Sequence, residues 1–265
     1  MEQNLWKHII AVRQSSPLVH NITNFVVMNT TANALLAVGA SPIMAHSHAE
    51  VEEMTSLCQS LVVNIGTLDD YFVDAMLLAV QKANEQKKPW ILDPVGAGAT
   101  SYRDAVLSQL LAHNPAVVRG NASEILALAK ANSTATKGVD STAKSDEAVD
   151  AARFIQQKYG SVVCISGETD IIVSQNQTVF IRNGNALMTK VTGLGCSASA
   201  VIGAFVAAVA APAEAVAAAM ALFSISGELA ARQSNGPGTL QVLLLDKLYT
   251  LSEQEFNDSL NIRYA

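Results

Sequence analysis

The sequence is short of charge. Asp, Glu, Lys and Arg make up 15% of its 265 residues, against 50% hydrophobic. No polar tract accompanies that shortage, which excludes a disordered chain and implies much buried surface. Basic residues are the scarcer kind, and the formal net charge is −6. No stripe of Lys and Arg exists to hold a polyanionic backbone, so a nucleic-acid partner is not expected. Cysteine is sparse as well. Cys58, Cys164 and Cys196 lie far apart and form no C-x-x-C pair. That argues against a zinc site or a redox dithiol and points to a reducing, cytoplasmic compartment. Two familiar signatures are missing, the phosphate loop G-x-x-x-x-G-K-[ST] and the nucleophile elbow G-x-S-x-G. Met1–Gln14 reads as an amphipathic helix rather than a leader peptide. The most membrane-like run, Ser197–Phe223, is dominated by Ala and broken by Pro212 and Glu214. It reads as two tightly packed helices of a soluble protein, with no membrane partner.

What is present is an alternation. Short β-branched runs predict strands at Leu18–Ile22, Ser41–Met44, Leu61–Asn64, Trp90–Asp93, Ala116–Arg119 and Ser161–Ile165. Helical patterns stand between them, at Asn24–Val38, His48–Gln59, Asp69–Gln86, Arg103–Ala112, Ala122–Ala131 and Asp146–Tyr159. Asn132–Lys144 is rich in Ser, Thr, Lys and Gly and reads as a loop. Asp170–Ser174 and Gln177–Arg182 predict a hairpin, and Leu187–Val191 a further short strand. Three helices follow, at Cys196–Ala210, Ala213–Ser234 and Thr239–Leu251. The expected fold is one α/β domain over residues 1–265, with a mostly parallel sheet covered on both faces. Ligands bind such sheets at the carboxyl ends of the strands. The loops after Asp93, Arg119, Ser166 and Val191 are therefore where chemistry is expected.

The strongest pattern there is Thr192-Gly193-Leu194-Gly195-Cys196-Ser197, between a strand-like run and an Ala-rich helix. Glycine lets the backbone turn tightly and approach a ligand. The first N–H groups of a helix lack intrahelical partners and favour an anion. Gly193 and Gly195 thus read as a cradle for charge on a transferring phosphoryl group, although an ordinary turn has the same spacing. Cys196 at that helix start is expected to have a lowered pKa and can take a proton from a substrate alcohol, or it is a small buried hydrophobe. Asp93-Pro94-Val95-Gly96 places a carboxylate at a strand end, where it can approach a metal–phosphate complex or merely stabilise a turn. In Arg119-Gly120-Asn121-Ala122-Ser123-Glu124 the Arg can grip phosphate, and Glu124 can serve Mg²⁺ through water or simply favour a helix start. Ser166-Gly167-Glu168-Thr169-Asp170 offers a hydroxyl to nucleotide phosphate, or is a plain turn. Thr23 and Asn24 fit a helix cap. Met44 suits either a sulfur-containing ring or the core. His46 and His48 lack a third metal ligand.

Together, His20-Asn21-Ile22-Thr23-Asn24, Pro42-Ile43-Met44, Asn64-Ile65-Gly66-Thr67, Asp93-Pro94-Val95-Gly96-Ala97, Arg119 to Glu124, Thr192 to Cys196 and Gly236-Pro237-Gly238 resemble the hydroxyethylthiazole kinase family over nearly the whole chain. The resemblance implies a ribokinase-like three-layer sandwich that phosphorylates 5-(2-hydroxyethyl)-4-methylthiazole with ATP in thiamine biosynthesis and salvage. It also implies a homotrimer with sites between subunits. By that likeness Met44, Asn24 and Gly193 meet the thiazole, and Arg119 and Ser166 meet ATP. Asp93 and Glu124 sit near Mg²⁺, and Gly193, Gly195 and Cys196 form the anion hole with the thiol beside the alcohol. Ser166 stands where family members often carry Thr. Alternative expectations on the same fold are a pyridoxal or hydroxymethylpyrimidine kinase, or an ATP-dependent dehydratase.

Overall fold

The structure, a computed structural model, describes residues 4–132 and 144–265. The loop expected over Asn132–Lys144 lies outside them except at its two ends, as do residues 1–3 of the expected first helix. Strands β1 (Leu18–Ile22), β2 (Ser41–Ile43), β3 (Ser60–Asn64), β4 (Trp90–Asp93), β5 (Val117–Asn121), β6 (Val162–Ser166), β7 (Asp170–Val173), β8 (Thr178–Ile181) and β9 (Ile262–Tyr264) join in one sheet. Their order is β2-β1-β3-β4-β5-β6-β7-β8-β9. The first six strands run parallel to one another, and the pairs β6–β7, β7–β8 and β8–β9 are antiparallel. The chain passes from β1 to β2 on one side and then continues from β1's other side with β3. That reversal creates a crevice at the carboxyl ends of β1 and β3.

Both faces of the sheet are buried, so the strands are apolar at successive positions, with alternate residues facing opposite layers. Val62, Ile91, Val117, Cys164 and Ile172 point to one layer. Leu61, Val63, Leu92, Val118, Val163 and Ile165 point to the other. The first layer holds α1 (Trp6–Ser15), α2 (Met28–Ala37), α8 (Leu194–Ala208), α9 (Pro212–Gln233), α10 (Pro237–Thr250) and α11 (Glu253–Ser259). The second holds α3 (Val51–Leu57), α4 (Asp70–Glu85), α5 (Ser101–Leu111), α6 (Ala122–Ala131) and α7 (Lys144–Tyr159). Short side chains let α8 lie close to the sheet. A Cβ on Gly203 would stand 2.6 Å from Val62 Cγ2. Helix α9 is long and apolar enough to cross a membrane, yet most of it is buried against α8, α10 and the sheet.

Local chemistry explains several boundaries. Asp69 caps α4 by accepting the N–H of Phe72, and Thr100 caps α5 by accepting that of Arg103. The strand expected at Leu187–Val191 is instead a 3-10 turn over Ala186–Lys190. Asn185 accepts the N–H of Leu187 and so caps a helical turn, which overrides the β-branched pattern. Helix α2 begins at Met28, not at Asn24, because the Asn24 amide is engaged elsewhere. The C-terminal α11 and β9 carry too little periodicity for a sequence reading. The three residues of β9 are placed by pairing with the free edge of β8.

Candidate active site at the strand ends

The alternation that builds the core also aims the polar residues. Asn64, Asp93, Arg119 and Ser166 share parity with Val62, Ile91, Val117 and Cys164, so all four face the layer that contains α8. Register sets two of them side by side and offsets the other two, since Arg119 pairs with Cys164. Asn64 pairs with Asp93 across β3 and β4, and Ser166 with Asn121 across β6 and β5.

Asp93 is 1% exposed. Its Oδ2 accepts from Asn64 Nδ2 at 2.7 Å and from Ser199 Oγ of α8 at 2.8 Å. Among the described residues Oδ1 receives no hydrogen bond. The Asn64 carbonyl oxygen accepts from Asn24 Nδ2 at 2.9 Å and from the Gly66 N–H at 2.9 Å. The Asn24 amide also donates to Cys196 Sγ at 3.6 Å. One chain of hydrogen bonds therefore runs from Cys196 through Asn24 and Asn64 to Asp93 and back to α8 through Ser199. Burial lifts the Asp93 pKa to about 6 and the Glu124 charge adds to it, against the pull of Arg119, Ser199 and Asn64.

Helix α8 begins two residues earlier than expected, so Gly195 and Cys196 both lie in its first turn. Gly193 is the N-cap, with φ +80, a left-handed conformation suited to glycine. Arg119 lies against this turn. A Cβ on Gly195 would stand 2.6 Å from Arg119 Nη1. Arg119 Nη2 donates to Ser166 Oγ at 2.7 Å, while its buried Nε has no partner among the described residues. A guanidinium with unused donors beside a helix N-terminus is suited to an anion.

The expected low pKa of Cys196 is corrected by the structure. Burial, with the Asp93 charge next, raises the thiol to about 11 despite the amides of Asn64 and Asn24 and the charge of Arg119. The rise is worth ~3 kcal/mol, whereas a helix end contributes ~1 kcal/mol, so desolvation wins. Alkylation of Cys196 by iodoacetamide should accordingly stay slow near neutral pH and accelerate only toward pH 11. Peptide mapping that placed its inflection in the ordinary thiol range would contradict this.

Glu124 lies beneath the same loops. Its Oε1 accepts the Gly96 N–H at 3.0 Å and its Oε2 the Asn121 N–H at 2.8 Å, within a capping box for α6. Both oxygens thus have a structural task as well as any metal-related one. Met44 is apart from this cluster, just past β2, with β1 and β3 between it and β4. The two histidines do not converge. His46 stacks on Phe72, while His48 stacks on Tyr71 and bonds its carbonyl.

Sequence reading missed three contributors. Asn64 carried a signal, since it is a polar residue closing an apolar strand, as Asp93 is. Ser199 sits one turn beyond Gly195 on the same helix face, also legible in principle. Arg103 carried none. It donates to the carbonyls of Ile65, Val95 and Gly66, which ties the loops after β3 and β4 together.

Comparison with known proteins fits this geometry. The pattern described as the Hydroxyethylthiazole kinase family matches residues 9–254. A hydroxyethylthiazole kinase of Syntrophus aciditrophicus (strain SB) is 55% identical over 261 residues, 98% of this chain and 97% of that one. One from Vibrio parahaemolyticus is 49% identical over 262 residues, 98% of each. The solved structure of a hydroxyethylthiazole kinase protein from Pyrococcus horikoshii OT3 superposes with a TM-score of 0.92 at 40% identity, covering 98% of both chains. A pyridoxal kinase from Staphylococcus aureus, solved with AMP-PCP and pyridoxal, shares the fold at a TM-score of 0.67 and 15% identity, covering 94% of this chain and 98% of that one.

Proposed function

The chain belongs to the hydroxyethylthiazole kinase family, and we propose on that basis that it transfers the γ-phosphoryl group of ATP to the primary alcohol of 5-(2-hydroxyethyl)-4-methylthiazole, in thiamine biosynthesis and salvage. Its ribokinase-like fold is shared with both solved structures above. The observation that carries the reading is the meeting, on one sheet face, of Asp93, Arg119 and Ser166 with the first turn of α8.

Phosphoryl transfer makes little demand on covalent chemistry and a large one on positioning and charge. Arg119 offers Nη1 to a phosphate oxygen, while its Nη2 donates to Ser166 Oγ. The N–H groups of Leu194, Gly195 and Cys196 face the transferring group without intrahelical partners. The donor set fits Mg²⁺, an ion that keeps several waters and needs only one or two carboxylates beside phosphate. Asp93 Oδ1 accepts no hydrogen bond among the described residues, and each Glu124 oxygen retains a lone pair for a water. When bound, Mg²⁺ would neutralise phosphate charge.

Cys196, neutral at pH 7, is a hydrogen-bonding neighbour of the alcohol rather than a standing thiolate. In a loose transition state the alcohol loses its proton late. Cys196→Ala is therefore expected to lower kcat by only about tenfold, less than the roughly hundredfold or more typical of a general acid or base. A complete loss in folded protein would restore the base role.

Asn24 and Met44 line the acceptor side in this reading. Exposed Phe25 and Val26, next to Asn24, support a homotrimer whose neighbouring subunit completes that side. Sheet pairing that runs from β1 to β9 supports treating the 265 residues as one catalytic domain. Three free cysteines suit the cytoplasm.

The test is product analysis by mass spectrometry. Purified protein receives ATP, Mg²⁺ and the thiazole alcohol, with pyridoxal and hydroxymethylpyrimidine as competitors. Thiazole phosphate should dominate and require Mg²⁺. A preference for either competitor, or ATP hydrolysis with no phosphorylated alcohol, would overturn the assignment.

A further inference from the structure

The turn between β6 and β7 carries Ser166, the partner of Arg119, and is anchored by a carboxylate that the transfer step does not use. Asp170 opens β7 and is 4% exposed. Its Oδ1 accepts the backbone N–H of Gly167 at 3.1 Å. Its Oδ2 accepts Ser224 Oγ at 2.8 Å, and Ser224 is itself buried midway along α9. The exposed residues Gly167 and Glu168 are thus tied, through one buried side chain, to a core helix. A plain β-turn needs no such anchor, and an unsupported exposed turn opens easily. A buried carboxylate is also a costly way to fill space, because desolvation must be offset by hydrogen bonds and nearby charge. Burial raises the Asp170 pKa, whereas Ser224, Gly167 and the Arg119 charge lower it. The Arg119 guanidinium is therefore within electrostatic reach of Asp170 on one side and Asp93 on the other.

We propose that Asp170 is a positioning residue for the nucleotide-phosphate end of the site. By holding the Gly167 N–H it fixes where Ser166 Oγ stands against Arg119 Nη2, and so which guanidinium donors remain free for phosphate. Its two oxygens are each committed to a different donor, one on the turn and one on α9, so the carboxylate has no freedom to rotate. The inference rests on the reading that Arg119 and Ser166 meet ATP. It goes beyond that reading by assigning the geometry of that meeting to a residue that touches neither substrate.

The experiment is calorimetric titration of the full-length protein with ATP and, separately, with the thiazole alcohol, together with steady-state kinetics. Asp170→Asn can keep the Gly167 bond through its amide oxygen, but it presents an NH₂ to Ser224 and loses the charge. Its Kd and KM for ATP should rise about tenfold, as expected for a lost hydrogen bond to a charged group. The KM for the alcohol should stay within about twofold, and a purely structural role would not produce that split. Ser224→Ala keeps the carboxylate, its charge and the Gly167 bond, and should raise the ATP Kd less, about threefold. Folded Asp170→Asn protein with unchanged ATP affinity, or with both ligands weakened alike, would overturn the proposal. If Asp170→Asn fails to fold, Ser224→Ala decides by the same criterion. Wild-type protein that binds no ATP would refute this inference as well. Wild-type protein that binds ATP but forms no thiazole phosphate would count against the kinase reading alone, and the titrations would still decide the role of Asp170.

Discussion

Gly195→Ala is expected to lower kcat about a thousandfold in protein that folds normally. The new Cβ would stand 2.6 Å from Arg119 Nη1 and 3.3 Å from Cζ. These atoms end a flexible side chain, so folding can accommodate the methyl group by displacing the guanidinium. Catalysis cannot, because a misplacement of roughly 1 Å costs about a hundredfold and a lost charge-stabilising donor a further factor of ten or more. The same change at Gly193 is less informative. There the Cβ would meet Val27 Cγ1 at 2.4 Å and the backbone φ is +80, so the helix start itself would be strained. Melting temperature and kcat at saturating substrates check the claim. Gly195→Ala protein more active than Cys196→Ala would remove the anion cradle from the mechanism.

Asp93→Asn is expected to lose activity by about a thousandfold or more, in line with other essential charged groups, and yet to be more stable than the wild type above pH 6. The amide oxygen can take the place of Oδ2 and keep the bonds from Asn64 and Ser199. The buried charge is gone. The folded-state pKa of Asp93 is raised to about 6, so the folded protein holds this proton at pH values where the unfolded chain has released it. Stability is therefore greatest at low pH for this group and falls as pH rises through that window. The loss is complete above the folded pKa and amounts to ~3 kcal/mol. The variant escapes it, and the gap between the two proteins should close as pH falls toward 4. Denaturation at several pH values checks this. A variant less stable than wild type at pH 8 would mean that the Asp93 charge is stabilised by its neighbours more than burial penalises it.

The sheet was legible because both of its faces are buried, which leaves near-continuous apolar strands separated by helix-length polar patterns. Strand ends were also legible at Asp93 and Ser166, where a polar residue closes an apolar run. Parity was the unused information. Counting alternate positions from the apolar residues of each strand puts Asn64, Asp93, Arg119 and Ser166 on one face, without any contact being known. The pKa of Cys196 was not legible, since a helix start is visible in sequence but its burial is not. The links made by Arg103 and Asp170 depend on partners 38 and 54 residues away, and no local pattern encodes them. The 3-10 turn at Ala186–Lys190 was missed because a side-chain cap at Asn185 outweighs β propensity.

The most direct measurement is a crystal structure of the protein with ADP, aluminium fluoride, Mg²⁺ and 5-(2-hydroxyethyl)-4-methylthiazole. The account predicts the planar fluoride at the first turn of α8, within hydrogen-bond reach of the Gly195 and Cys196 N–H groups and of Arg119, with the thiazole hydroxyl on its far side near Asn24. A fluoride bound elsewhere, with Arg119 and the α8 N-terminus unengaged, would contradict it.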